Sequence, residues 1–208
     1  MKFHDLVRVV KDEPTFTSGL LISGNVDPRE LRRQLSRWKA SGKIVQLRRG
    51  VYALAEPFRS AAPHPFVIAN NLVRASYVSL QSALAYYGMI PEHVPVTTSV
   101  TTLRPWSWNT SLGAFSYHHI TPRFFHTYRR EEVSPGTFAL LATPEKALCD
   151  LVHLTPRGDS PSYLRELRLQ NLDILEVPAL RTLVKGSASP KLERARRIVE
   201  ELRETSGA

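Results

Sequence analysis

The sequence predicts an α+β fold in two parts, the second ending in helices, and three observations carry that reading. A basic helical stretch near the N-terminus leads into two short runs of strand formers, Ile44–Leu47 and Val51–Leu54, around Arg48-Arg49-Gly50. A proline-punctuated segment follows, with Pro57, Pro63 and Pro65. Beyond it, β-branched and aromatic runs lie between helical ones, and from about residue 160 the pattern is helical only. Strands in the middle with helices before and after are the mark of a mixed α+β region. The expected divisions are residues 1–56, a linker at 57–66, and a mixed α+β domain at 67–208.

The elements of the first part are justified in turn. "FHDLVRVV" reads as a helix, and "TSGLLISG" as a short helix or turn opening at Thr17 or Ser18. In "NVDPRELRRQLSRWKASGK", Asp27 is a good N-cap, Pro28 suits the first helical position, and Glu30 completes a capping-box-like arrangement. The helix should run to about Ser41, where Gly42 stops it. At 100° per residue Leu31, Leu35 and Trp38 form one narrow apolar stripe, while Arg29, Arg32, Arg33, Ser36, Arg37 and Lys39 cover the rest. Glycine at the following reversal supplies a positive φ.

Charge concentrates on the same stretch. The chain of 208 residues carries a net +9, with a pI near 10.0, which favours a polyanionic partner. Eight Arg and Lys side chains and one acid, Glu30, fall between Arg29 and Arg49, a net +7 of that total. A merely solvated helix mixes signs more evenly. The order helix, short helix, basic helix, strand, arginine-tipped turn, strand is that of a winged helix-turn-helix. Residues 28–41 would be the recognition helix and Arg48-Arg49-Gly50 the wing. The predicted contacts to double-stranded DNA are Arg29, Arg32, Arg33, Ser36, Arg37, Lys39, Lys43, Arg48 and Arg49.

In the second part, "PFVIANNLVRASYVSLQSALAYYGMI" reads as two helices separated near Ala75–Val78, with Ser79 capping the second and Gly88 stopping it. "PVTTSVTTLRP" reads as a strand, "TSLGAFSYHHI" as a turn at Gly113 entering another, and "GTFALLA" as a buried strand. "TPEKALCDLVHL" is a helix capped by Thr143 with Pro144 first. The last helix aligns Leu192, Ala195, Ile198, Val199 and Leu202, a face for its own domain rather than for a long coil.

Hydrophobic residues make up 42% and charged residues 23%, the balance of a folded rather than a disordered chain. Every apolar run is interrupted too early to cross a membrane, so no membrane partner is expected. Acids at Asp5, Asp12 and Glu13 spoil a signal-peptide reading of the start, and the single Cys149 excludes an internal disulfide. A cytoplasmic location is the expectation.

Catalytic patterns are sparse. Neither familiar phosphate-binding glycine loop occurs. His118 and His119 alternate across a strand, and His126 and His153 lack ligand-spaced partners, so neither metal nor cofactor is expected. Cys149 reads as a small core residue.

"SYVSLQSALAYYGMIPEHVP", followed by "TSV", "FSYHHI" and "ATPEKALCDLV", resembles the AbiEi-type antitoxins, the regulator half of type IV toxin–antitoxin pairs. "LSRWKASGKIVQLRRGVYAL" is similar to that family's winged-helix segment, and the likeness covers about residues 16–155. Cys149 stands where leucine is more usual in the family. The resemblance implies a non-enzymatic bacterial repressor that binds its own promoter through the N-terminal domain. It also implies that the C-terminal domain counters a nucleotidyltransferase-fold toxin, in much of the family without a stable complex. The competing expectation is an antitoxin that modifies its toxin covalently, for instance by phosphorylation, with Lys146, Glu145 and Asp150 as the candidate groups. A plain repressor with an unrelated second domain is the third.

Overall fold

Two apolar cores organise the chain, and one β-hairpin serves both. The computed structural model describes residues 1–22, 27–60 and 62–206. The first lobe comprises α1 (Phe3–Val10), β1 (Phe16–Thr17), α2 (Ser18–Ile22), α3 (Pro28–Ala40), β2 (Ile44–Arg48) and β3 (Val51–Leu54). The end of "TSGLLISG" and the Asn25-Val26 approach to α3 lie outside the described residues. The three strands form an antiparallel sheet in the order β1-β3-β2. Gly50, at φ +79°, supplies the left-handed residue that the β2–β3 reversal needs. Leu6, Val10, Phe16, Leu31, Leu35, Ile44 and Leu54 bury themselves between helices and sheet.

The second lobe begins at α4 (Pro65–Leu72). Pro65 and Phe66, expected in a linker, are the first turn of that helix: His64 Nδ1 accepts the Phe66 amide at 3.2 Å, and proline fits the position after the cap. Next come β4 (Ser76–Val78), α5 (Leu80–Tyr86), β5 (Val96–Thr101), β6 (Trp106–Thr110) and β7 (Gly113–His119). β8 (Tyr128–Ser134), β9 (Thr137–Ala142) and α6 (Pro144–Leu154) follow. The chain ends in α7 (Pro161–Glu166), α8 (Val177–Ser187) and α9 (Pro190–Ser206). The mixed sheet has the order β6-β7-β5-β4-β9-β8. The break expected between two helices near Ala75–Val78 therefore contains a central strand, paired to β5 on one side and to β9 on the other.

Register assigns the two faces of this sheet. Tyr117 lies opposite Ser99, which lies opposite Val78, so these three share a face; Tyr117 Oη donates to the Ala69 carbonyl of α4 at 2.7 Å. Tyr77, one residue along, points to the other face, where its hydroxyl donates to Asp150 of α6 at 3.0 Å. α4 thus covers one face and α6 the other. α8 and α9 pack on α6, and Leu192, Ala195 and Val199 are buried there as their spacing predicts.

The hairpin joins the lobes through strand alternation. Tyr52 and Leu54 face the first core, whereas Val51 and Ala53 enter the second, as does Leu47 of β2. The division expected at residue 56 falls after the hairpin, yet Leu47, Val51 and Ala53 already belong to the second core. No helix among the described residues is long and apolar enough to cross a membrane.

Candidate nucleic-acid interface

The basic face starts from a well-capped helix. Asp27 Oδ1 accepts the Arg29 amide at 2.8 Å, Pro28 takes the first turn, and Gly42 follows the end with φ +68°. Glu30 does not reach back as a capping box would. It binds forward, pairing with Arg33 at 2.7 Å and accepting Gln34 Nε2 at 3.3 Å. Leu31 and Leu35 anchor the inner stripe in the first core, and Trp38 packs edge-on against Phe3 with ring centroids 5.5 Å apart.

With that stripe buried, Arg29, Arg32, Arg33, Ser36, Arg37 and Lys39 are all exposed. Arg29, Arg32 and Arg37 make no ion pair among the described residues, so their charge is open to an external anion. Lys39 Nζ donates to Gln46 Oε1 at 2.9 Å and ties the helix to β2. The helix is about 20 Å long at ~1.5 Å per residue, and its width suits a DNA major groove.

Two predicted contacts sit away from this face. Lys43 is half-buried, its Nζ 4.9 Å from the centroid of the Phe3 ring, where the ring quadrupole holds it. Arg48 does not project with Arg49 from the turn. The ladder shifts register between Gln46 and Arg48, a β-bulge that re-aims the strand. Arg48 is accordingly half-buried against the second lobe, and its Nε is buried with no hydrogen-bond partner among the described residues. Burial raises the Tyr117 hydroxyl pKa well above its ordinary value, and the nearby Arg48 charge offsets part of that rise. Arg49 remains exposed on the turn.

The groups considered for a covalent mechanism come together on α6, but inside the protein. Lys146 and Asp150 form an ion pair with side chains 3% and 1% exposed. Asp150 also accepts Tyr77 Oη at 3.0 Å and Ser79 Oγ at 2.8 Å; burial raises its carboxyl pKa while these donors and Lys146 pull it down. Glu145 is buried as well, its Oε1 accepting the Glu176 amide at 2.8 Å. Ser79 spends its hydroxyl on Asp150 rather than on capping α5. Cys149 is buried, and burial pushes its thiol up to about 12, an inert state for a nucleophile. No group of His, Cys, Asp and Glu among the described residues has the arrangement of a metal site.

A second cationic feature escaped the sequence reading. Arg74, just after α4, and Trp106 and Trp108 of β6 line a cleft with Arg48 and Arg49. The available signal was "WSW", two indoles at strand spacing in an otherwise polar stretch. No known family model and no curated protein matches this sequence. The likeness to AbiEi-type antitoxins stands on the quoted motifs alone.

Proposed function

We propose that this protein is a cytoplasmic, non-enzymatic antitoxin and autorepressor. A winged helix in its first lobe binds double-stranded promoter DNA. Its second lobe neutralises a cognate nucleotidyltransferase-fold toxin. The observation that carries the DNA half is the outward face of α3, where Arg29, Arg32 and Arg37 are exposed and free of ion pairs among the described residues. Arg32 and Arg33 would approach base edges near the front of the helix, and Arg49 would hold the backbone beside it. The antitoxin half rests on the motif resemblance. The buried, hydrogen-bonded state of Lys146, Glu145 and Asp150 favours the non-enzymatic reading over covalent modification.

The test is fluorescence anisotropy on the duplex immediately upstream of the gene, against a shuffled duplex, over a salt series. The wild-type chain should prefer the upstream sequence, with affinity falling steeply as salt rises. Arg32→Ala/Arg33→Ala should lose most of that preference. Arg49→Ala should reduce the log–log salt slope by about one, the share of a single phosphate contact. Equal, weak binding to both duplexes would refute the repressor. Growth rescue when the neighbouring gene product is expressed from a foreign promoter tests the antitoxin half, since a plain repressor gives none.

A further inference from the structure

The cleft at the hairpin's junction with the second lobe has a volume of about 540 Å3, within the range of small-molecule sites. Three places supply its cationic and aromatic walls, and Thr17 and Leu103 complete the lining. The hairpin supplies Arg48 and Arg49, the end of α4 and the residues after it supply Asn71 and Arg74, and β6 supplies Trp106 and Trp108. The two indoles stand at i and i+2 on one face of an edge strand, their planes 9° apart and their centroids 5.6 Å apart. Tyr117 packs edge-on behind Trp108 at 5.5 Å and fixes it. Trp106 is 52% exposed, a large apolar surface left in water.

The charge of the cleft is one-sided. Arg48, Arg49 and Arg74 make no ion pair among the described residues, and no carboxylate is among the described lining residues. Arg48 holds a buried Nε with no partner among the described residues, which leaves its exposed guanidinium nitrogens as the groups able to meet a ligand. An aliphatic ligand would leave three guanidinium groups unmatched. A simple anion would leave the indole pair wet. A flat aromatic ring joined to a phosphate satisfies both, and Asn71 offers an amide donor and acceptor for a base edge.

The geometry points to a site for an unpaired nucleoside phosphate, its base stacked on the Trp106–Trp108 platform and its phosphate held by Arg48 and Arg74. The nucleotide is either free or part of a single strand. Paired bases are already stacked within a duplex, so this site differs in kind from the α3 face and uses none of its side chains.

Equilibrium dialysis of the full chain tests it with GMP, AMP, guanosine, inorganic phosphate and a thymidine hexanucleotide. A nucleoside monophosphate or the hexanucleotide should bind about ten-fold tighter than guanosine or phosphate, the scale of one stacked base. Trp106→Ala and Arg74→Ala should each weaken that binding about ten-fold. Arg74 is exposed, so melting temperature should not move in Arg74→Ala, while Trp106→Ala should lower it only slightly because it loses the contact with Trp108. Arg32→Ala/Arg33→Ala should leave nucleotide binding intact, which separates this site from the duplex reading. Mononucleotides matching the hexanucleotide per site would identify a free nucleotide as the occupant. A much tighter hexanucleotide would identify a strand. Phosphate binding as well as GMP, undiminished binding in Trp106→Ala, or no binding of any nucleotide would each overturn the site.

Discussion

Lys146 and Asp150 show how much one pair of residues is asked to do. Both are buried one turn apart on α6, and Asp150 gathers Lys146, Ser79 and Tyr77 around a single carboxylate. Such a pair is tolerated in the core only while complete, because the desolvation of each ion is offset by the other. Removing one partner leaves an uncompensated group in the core, at a cost of about 3–5 kcal/mol. Lys146→Met should therefore unfold at a markedly lower urea concentration. Lys146→Met/Asp150→Leu should cost less than the sum of the two single changes, since the second removes the orphan created by the first. Additivity to within about 0.5 kcal/mol would mean the pair is not coupled. The burial of these residues was not legible from the sequence: Glu145, Lys146 and Asp150 look alike whether a helix start is exposed or buried. Only the surrounding strands decide it.

At the scale of elements, α8 and α9 are joined by a carboxylate–arginine cluster. Glu200 accepts Arg181 of α8 at 2.9 and 3.0 Å and Arg196 at 2.7 Å, and these bonds, Arg181 first, hold its pKa at about 2. Glu193 is likewise held at about 2, first by Arg196. A carboxylate depressed on folding adds stability that is fully present above its unfolded value near 4.5 and is lost as pH falls through about 2. Glu200→Gln should lower the melting temperature at pH 7 by about 2 °C, small because Arg181 is largely exposed. That difference should narrow between pH 4.5 and pH 2. A difference constant across this window would assign the effect to packing. Of the three i,i+4 pairs that α9 offers, Arg196 with Glu200 and Arg197 with Glu193 form, whereas Arg197 and Glu201 make no ion pair among the described residues; α3, α6, β5, β7 and β9 were legible from pattern and caps. Four strands were not, the two-residue β1 among them. β4 is three residues long and sits between helices, too short for any period to register. β6 and β8, "WSWNT" and "YRREEVS", are the sheet's two edges, and edge strands carry polar and charged residues that discourage pairing with other chains. The cleft was hidden for the same reason, because its indoles belong to an unrecognised edge strand.

For the whole molecule, the decisive feature is a hairpin that belongs to two cores. A basic helix followed by an independent hairpin would let the first lobe fold and move by itself. Here Leu47, Val51 and Ala53 are buried in the second core, while Ile44 and Leu54 close the first. Detaching the lobes would return Leu47 and Val51 to water, a loss of roughly 1.5–3 kcal/mol for each side chain. The lobes should therefore unfold together. Tryptophans are placed to check this, since Trp38 packs on the first core and Trp108 on the second. In Trp106→Phe/Trp108→Phe the remaining emission reports the first core, and in Trp38→Phe it reports the second. Adding Val51→Ala, a change confined to the second core, should shift both reports to lower denaturant by the same amount. Two separate transitions, with only the second-core report responding to Val51→Ala, would show independent lobes. Coincident transitions would mean that anything bound between hairpin and second lobe stabilises the first lobe as well, because there is one folding unit for it to act on.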